Sequence, residues 1–208
     1  SVSVAYLVSY DIHTESVDSV LLGPRTYRSL VKHVGTGSMH LQIPFDVSPV
    51  TVVDPTGGFW HSDGSGYQIV RLDESGDTTL VISADVPPLP VTIEDQRKYV
   101  AQMTERDETM RSVAEEVVQV MRETQPAIAG LSLDDSGNVW VRRGATEDPV
   151  RFDVFSPEGD FLAAVGMALP VSEYLPPRFR SGSVYVLTHD ELDVPYVVRA
   201  AVPVEALR

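Results

Sequence analysis

The chain has no cysteine. That excludes disulfides, thiolate metal sites and cysteine nucleophiles together. It leaves the compartment open, because many periplasmic proteins also lack the residue. Basic residues are scarce: 16 Lys and Arg stand against 30 Asp and Glu, a formal net charge of −14 over 208 residues. Nucleic acid is held by cations that neutralise phosphates, so it is excluded as a partner, and an anionic membrane surface with it. The charge suits a soluble protein or one that faces a basic partner. Apolar runs are short. The longest, residues 161–169, is interrupted by Gly166 and falls below the ~20 residues of a membrane helix, so no direct membrane span is expected. The sequence begins at Ser1, with neither Met nor a signal peptide, which reads as a processed or trimmed product.

Motifs of catalysis are missing too. His13, His33, His40, His61 and His189 include no pair at the i, i+4 spacing of a helical zinc motif. There is no Gly-x-Ser-x-Gly elbow. Gly64-Ser65-Gly66 and Gly35-Thr36-Gly37-Ser38 are glycine-rich, but neither leads from a strand into a helix, as a phosphate cradle or nucleophile elbow requires. Both read as loops. The Asp-rich strings Asp73-Glu74-Ser75-Gly76-Asp77 and Asp134-Asp135-Ser136-Gly137-Asn138 lack the twelfth-position Glu of a calcium loop and read as turns. No catalytic residue, metal or cofactor is assigned.

What the chain does have is an internal repeat. Asp54-Pro55-Thr56-Gly57-Gly58-Phe59-Trp60 matches Asp134-Asp135-Ser136-Gly137-Asn138-Val139-Trp140, and Ser181-Gly182-Ser183-Val184-Tyr185 is a weaker third copy. In each, a Gly lies three residues before an aromatic that opens a strand. Trp60, Trp140 and Tyr185 are therefore expected at equivalent packing sites. The first two copies read as four-stranded units. Residues 50–53, 59–61, 67–72 and 79–83 make one, and 128–133, 139–141, 151–155 and 161–165 the other. The third copy covers 183–188 and 195–200, and residues 2–10 with 17–22 read as the outer half of an earlier unit. The apolar fraction of 43% suffices for a packed core. Trp60 and Trp140 are 80 residues apart, and one insertion, residues 91–125, accounts for the excess over a 40-residue period. It is helical: Thr92 with Asp95 makes a capping box, Met110, Val113, Ala114, Val117, Val118 and Met121 follow helical spacing, and Pro126 ends it.

These strings resemble bacterial six-bladed β-propellers of the NHL and TolB-like kind. The resemblance rests on Gly137 to Val141 (Gly-Asn-Val-Trp-Val), on Phe152 to Leu162, and on Asp190 to Val197 (Asp-Glu-Leu-Asp-Val-Pro-Tyr-Val). It covers roughly residues 45–90 and 127–205. It implies an all-β propeller, here a partial one or the C-terminal half of a six-bladed ring, as a single domain over 1–208 with a helical insertion at 91–125 between blades. About three blades and a fragment are countable. Further blades then lie upstream, or a second chain completes the ring.

The expected function is a non-enzymatic binding or assembly module, a peripheral protein-interaction subunit of a larger complex in the periplasm or outside the cell. Its partner is another protein or further propeller blades. The alternatives are a lactonase-like propeller hydrolase with a channel metal, and a propeller that binds a sugar or another small ligand. Candidate ligand-binding residues are Arg142 and Arg143, which point to opposite faces of one strand, and His61, close to Asp63. Candidate partner-binding residues are Met110, Val113, Val117 and Met121 on the apolar stripe of the insertion.

Overall fold

One turn chemistry shapes the protein. In the computed structural model, Asp54, Asp73, Asp134 and Asp190 each open a hairpin turn. One carboxylate oxygen of each accepts the N–H two residues on, at 2.9 Å. Ser156 does the same with its hydroxyl at 3.2 Å. In the last four the same side chain also takes the N–H four residues on. The fourth residue of each turn closes back on the first carbonyl. It must adopt positive φ, as Gly137 does at 80° and Asp193 at 60°. The Asp strings are thus turns in which one oxygen of the leading carboxylate is held by the turn's own backbone.

The structure describes residues 2–26, 28–34, 37–144, 149–169, 171 and 175–202. Gly35 and Thr36 of the glycine-rich string lie outside them. Within each sheet, every strand is antiparallel to the strands it pairs with. A ribbon of β1 (Val2–Asp11) and β2 (Ser16–Thr26) comes first, then a pair, β3 (Ser29–Val34) and β4 (Gly37–Gln42). A four-stranded sheet follows: β5 (Val50–Val53), β6 (Phe59–Ser62), β7 (Gln68–Leu72) and β8 (Thr78–Ser83). The next has β9 (Ile128–Leu133), β10 (Val139–Arg143), β11 (Val150–Phe155) and β12 (Phe161–Met167). The last has three strands: β13 (Arg178–Arg180), β14 (Ser183–His189) and β15 (Pro195–Ala201). The described residues are therefore mainly β, in sheets of two to four strands, and these sheets do not close a ring.

Alternation along these strands gives each middle sheet two apolar faces. Trp60, Ile69 and Ile82 of the first four-stranded sheet pack with Val139, Val141 and Phe155 of the second. The other face of the second carries Trp140, Phe152, Val154 and Met167, and these pack with Phe179, Val184 and Val186 of the third. The first strands come together as well, β5 against β9 and β9 against β13. Three successive sheets are thereby stacked through two continuous cores.

Register places Trp60 opposite Val52 and Trp140 opposite Ser132, the same position in each sheet. Tyr185 takes the same place in the third sheet. It pairs with Arg199 as Trp60 pairs with Arg71. Val184 and Phe179 lie on the opposite face, which packs against the preceding sheet as Val139 and Val141 do in the second. Ser181 and Gly182 both have positive φ, 51° and 66°, as a two-residue type I′ turn demands. That turn is one residue shorter than the others, and Tyr185 still follows its Gly by three residues. Tyr185 is only half-buried, with the Arg199 guanidinium 5.8 Å from its ring centroid.

The helical segment lies between β8 and β9 and is two helices, not one. α1 (Ile93–Arg106) begins at the Thr92–Asp95 capping box. Asp107 then caps a 3-10 turn (Glu108–Met110), and α2 (Arg111–Val120) follows. The segment leaves and returns at one point, since Val91 N–H donates to Glu123 O and Gln125 N–H to Leu89 O, both at 2.8 Å. It is tied to the β3–β4 region by Lys32–Glu116 at 2.5 Å, by Arg122–Asp46 at 2.8 Å, and by Arg28 Nη2 donating to Val120 O at 2.7 Å.

Candidate functional site

Small residues on one strand face leave a space that larger ones would fill. Gly130 and Ser132 lie on the same face of β9, and register sets Arg142 opposite Gly130 and Trp140 opposite Ser132. A Cβ at Gly130 would lie 3.6 Å from the Arg142 Cβ, an ordinary contact distance. Beside this pair is a cavity of about 230 Å³. Thr51, Ser132 and Arg142 provide its polar side chains, while Val50, Leu131, Phe152, Pro176 and Pro177 make its walls mainly apolar. It sits where β5 and β9, the first strands of successive sheets, approach each other. Arg142 is only 6% exposed and also takes part in an interaction within the chain.

Arg143 turns to the other face, as expected for adjacent strand residues. Its Nε lies 3.8 Å from Asp153 Oδ2. The same oxygen accepts the Tyr67 hydroxyl at 2.5 Å, which links the first four-stranded sheet to the second. Burial pushes the Tyr67 phenol far above its ordinary range, and the bond to Asp153 and that carboxylate's charge add to the effect. Arg143 therefore belongs to a buried clamp between sheets. It is separate from the Arg142 cavity.

His61 is buried in β6, and its Nδ1 is 2.9 Å from the Thr51 hydroxyl. Thr51 lines the cavity and His61 does not. Asp63 is exposed and engaged by Ser65, whose N–H and hydroxyl both donate to its Oδ1 at 2.8 Å. His61 and Asp63 thus have separate partners. Among the described residues, no three His, Asp or Glu side chains come together to hold a metal ion.

The stripe on the insertion is internal. Val113 and Val117 are buried and Met110 and Met121 half-buried within the chain, so this face is already covered where it was expected to meet a partner. Open apolar surface lies elsewhere. Tyr6, Val8 and Tyr10 are exposed on one face of β1, with Val17 and Leu21 of β2 paired opposite Tyr10 and Tyr6. Tyr196 and Val197 of β15 are 47% and 62% exposed, and β15 pairs only with β14 among the described residues.

Sequence reasoning reached Arg142 through its charge but missed Thr51, Ser132 and the Pro176-Pro177 wall. The available signal was Gly130 and Ser132, two small residues alternating in an otherwise apolar strand. The chain matches no family model, and no curated protein is detectably similar to it.

Proposed function

We propose that this chain is part of a β-propeller and acts as a non-enzymatic assembly module, a protein-interaction subunit outside the cytoplasm. The observation that carries the reading is the unequal strand count along a regular stack. Among the described residues, two sheets have four strands and pack alike through equivalent tryptophans, while the third has three. The fourth strands β8 and β12 supply Ile82 and Met167 to the cores. The edge of β15 where such a strand would add is flanked by exposed Tyr196 and Val197. Open edges with apolar side chains are templates for pairing with another chain. The β1–β2 ribbon adds an apolar face, and a two-stranded ribbon alone is marginally stable.

Light scattering on the isolated 208-residue chain tests this. The expected result is a mass above that of the monomer, reduced by Tyr196→Lys combined with Val197→Lys. Both side chains are exposed, so the double variant is expected to fold. A monodisperse monomer that melts in one cooperative step sinks the proposal.

A further inference from the structure

We infer that the Tyr185 face of the third sheet is a docking surface for a short acidic segment of another protein. This rests on the assembly reading for there being a partner, and it uses a face rather than the β15 edge. The stack supplies the first argument. The Trp60 face of the first four-stranded sheet is covered by the second, and the Trp140 face of the second by the third. The equivalent face of the third sheet carries Tyr185, and no described sheet packs on it. Leu187 and Val197, paired opposite each other, extend its apolar part.

The second argument is charge. Arg178, Tyr185 and Arg199 stand in one row across β13, β14 and β15, and Arg180 and Ser183 in the next row on the same face. All three arginines are exposed, and none is in an ion pair among the described residues. Arg199 Nε donates to the Ser183 hydroxyl at 3.1 Å, which fixes the stem and leaves the two terminal nitrogens as donors. The repeat shows what this face lacks. Two places along the first strand from the residue opposite the aromatic stand Asp54, Asp134 and Arg180. Asp54 pairs with Arg71 at 2.8 Å, and Arg199 lies by the Tyr185 ring as Arg71 does by Trp60, at 5.8 and 5.7 Å. In the third sheet a cation stands where the acid was. Arg199 therefore lacks the carboxylate its counterpart has, and Arg180 adds to the demand for one. Arg178 and Arg180 are roughly 6.5–7 Å apart along their strand, the spacing of carboxylates two residues apart in an extended segment. A chain of net charge −14 disfavours a long polyanion such as nucleic acid, so the complementary charge is a few carboxylates on protein.

The probe is the peptide acetyl-Glu-Val-Glu-Val-Glu-amide, titrated calorimetrically into the full chain. Its Gln counterpart and tripolyphosphate serve as comparisons. We expect saturable binding of the Glu peptide, weakened at least about tenfold in the Gln peptide, the factor a charge-assisted bond commands. Arg180→Asp gives Arg199 an internal partner in the manner of Asp54 and Arg71, so it is expected to fold and to lose at least about tenfold in affinity. Should it fail to fold, Arg178→Gln takes its place with the same expectation. The inference is overturned if the Glu peptide does not bind, if the two peptides bind alike, if tripolyphosphate binds more tightly than the Glu peptide, or if the folded variants retain full affinity. It is also overturned if Arg180→Asp lowers the mass of the parent in light scattering, since a second copy then occupies the face. A monomer that binds the Glu peptide sinks the assembly reading alone, and an oligomer that does not bind it sinks this inference alone.

Discussion

Trp60 and Trp140 occupy matching sites, yet replacing each by Phe is expected to have unequal effects. Both indoles are at most 1% exposed. Both lose the same atoms on going to phenylalanine, so the transfer and cavity costs are similar. They differ at the indole nitrogen. Trp140 Nε1 donates to Asp134 Oδ2 at 3.1 Å. Trp60 Nε1 is buried with no hydrogen-bond partner among the described residues. The reason is Arg71, which faces Trp60 in register and takes Asp54 Oδ2 at 2.8 Å. In the second sheet the corresponding residue is Val154, which leaves Asp134 to the indole. A bond to a carboxylate contributes about 1.5–3 kcal/mol, and a buried unsatisfied donor costs about 1–3 kcal/mol. Trp140→Phe loses the first and Trp60→Phe is relieved of the second. Arg71 lies 5.7 Å from the Trp60 ring centroid, and the weaker cation–π contact with Phe returns about 0.5–1 kcal/mol of that difference. Trp140→Phe should therefore be the more destabilising by about 2–4 kcal/mol. With a urea slope of about 1–3 kcal/mol/M, the midpoints separate by about 1 M or more. Far-UV circular dichroism is the suitable probe, because each variant loses one of the two tryptophans. Equal midpoints, or a lower one for Trp60→Phe, would refute the reasoning.

Two further predictions concern the same sheets. Burial by itself would raise the Asp54 carboxyl, but the bonds from Thr56 and the Arg71 pairing outweigh it and hold the group below its ordinary value. Its contribution is then present above the unfolded value of about 3.9 and is lost as pH falls through the lower folded value. Urea midpoints between neutral pH and the acid limb should fall less steeply in Asp54→Asn than in the parent, and parallel curves would count against the assignment. In the third sheet, Val184→Ala should cost about 1.5–3 kcal/mol as the loss of a buried side chain, whereas Tyr185→Ala, half-buried, should cost less in the same urea titration. The reverse order would mean that Tyr185 carries more of the packing than its half-burial implies.

The parts of this fold that were legible in the sequence are those governed by local chemistry. An Asp that bonds the N–H two residues on, followed by a residue at positive φ, needs no tertiary information, and the four-stranded units between such turns were readable from alternation. The capping box of α1 is equally local. The match of Tyr185 to the tryptophans, three residues after its Gly, was legible in the same way. What failed depended on distant partners or on elements too short to show a period. The β3–β4 pair went unread because residues 35–38 looked like a loop with nothing paired around it, and β13 because Arg-Phe-Arg is too short to show a period. The break at Asp107 was hidden because the apolar spacing begins just after it, at Met110. Its Oδ1 accepts the Thr109 N–H at 2.9 Å, which starts a new cap where a continuous helix would pass.

The same distinction explains why Arg142 and Arg143 could be paired off correctly but not assigned. Alternation alone puts them on opposite faces. It does not say what either face meets. Asp153 comes from the neighbouring strand β11 and Tyr67 from the sheet before, so the clamp on Arg143 is assembled from three sequence regions. Arg142 instead faces Gly130 and Ser132. On the same face one position along, a tryptophan and two phenylalanines fill the space between sheets, with Trp140 stacked on Phe179 at 4.2 Å. Filling the Gly130 position would extend that core at small cost, because an added Cβ meets only ordinary contact distances. Packing alone would favour a larger residue there, and a buried cation costs free energy that an apolar side chain would not. A glycine opposite a buried arginine thus leaves room beside the guanidinium that packing alone does not call for.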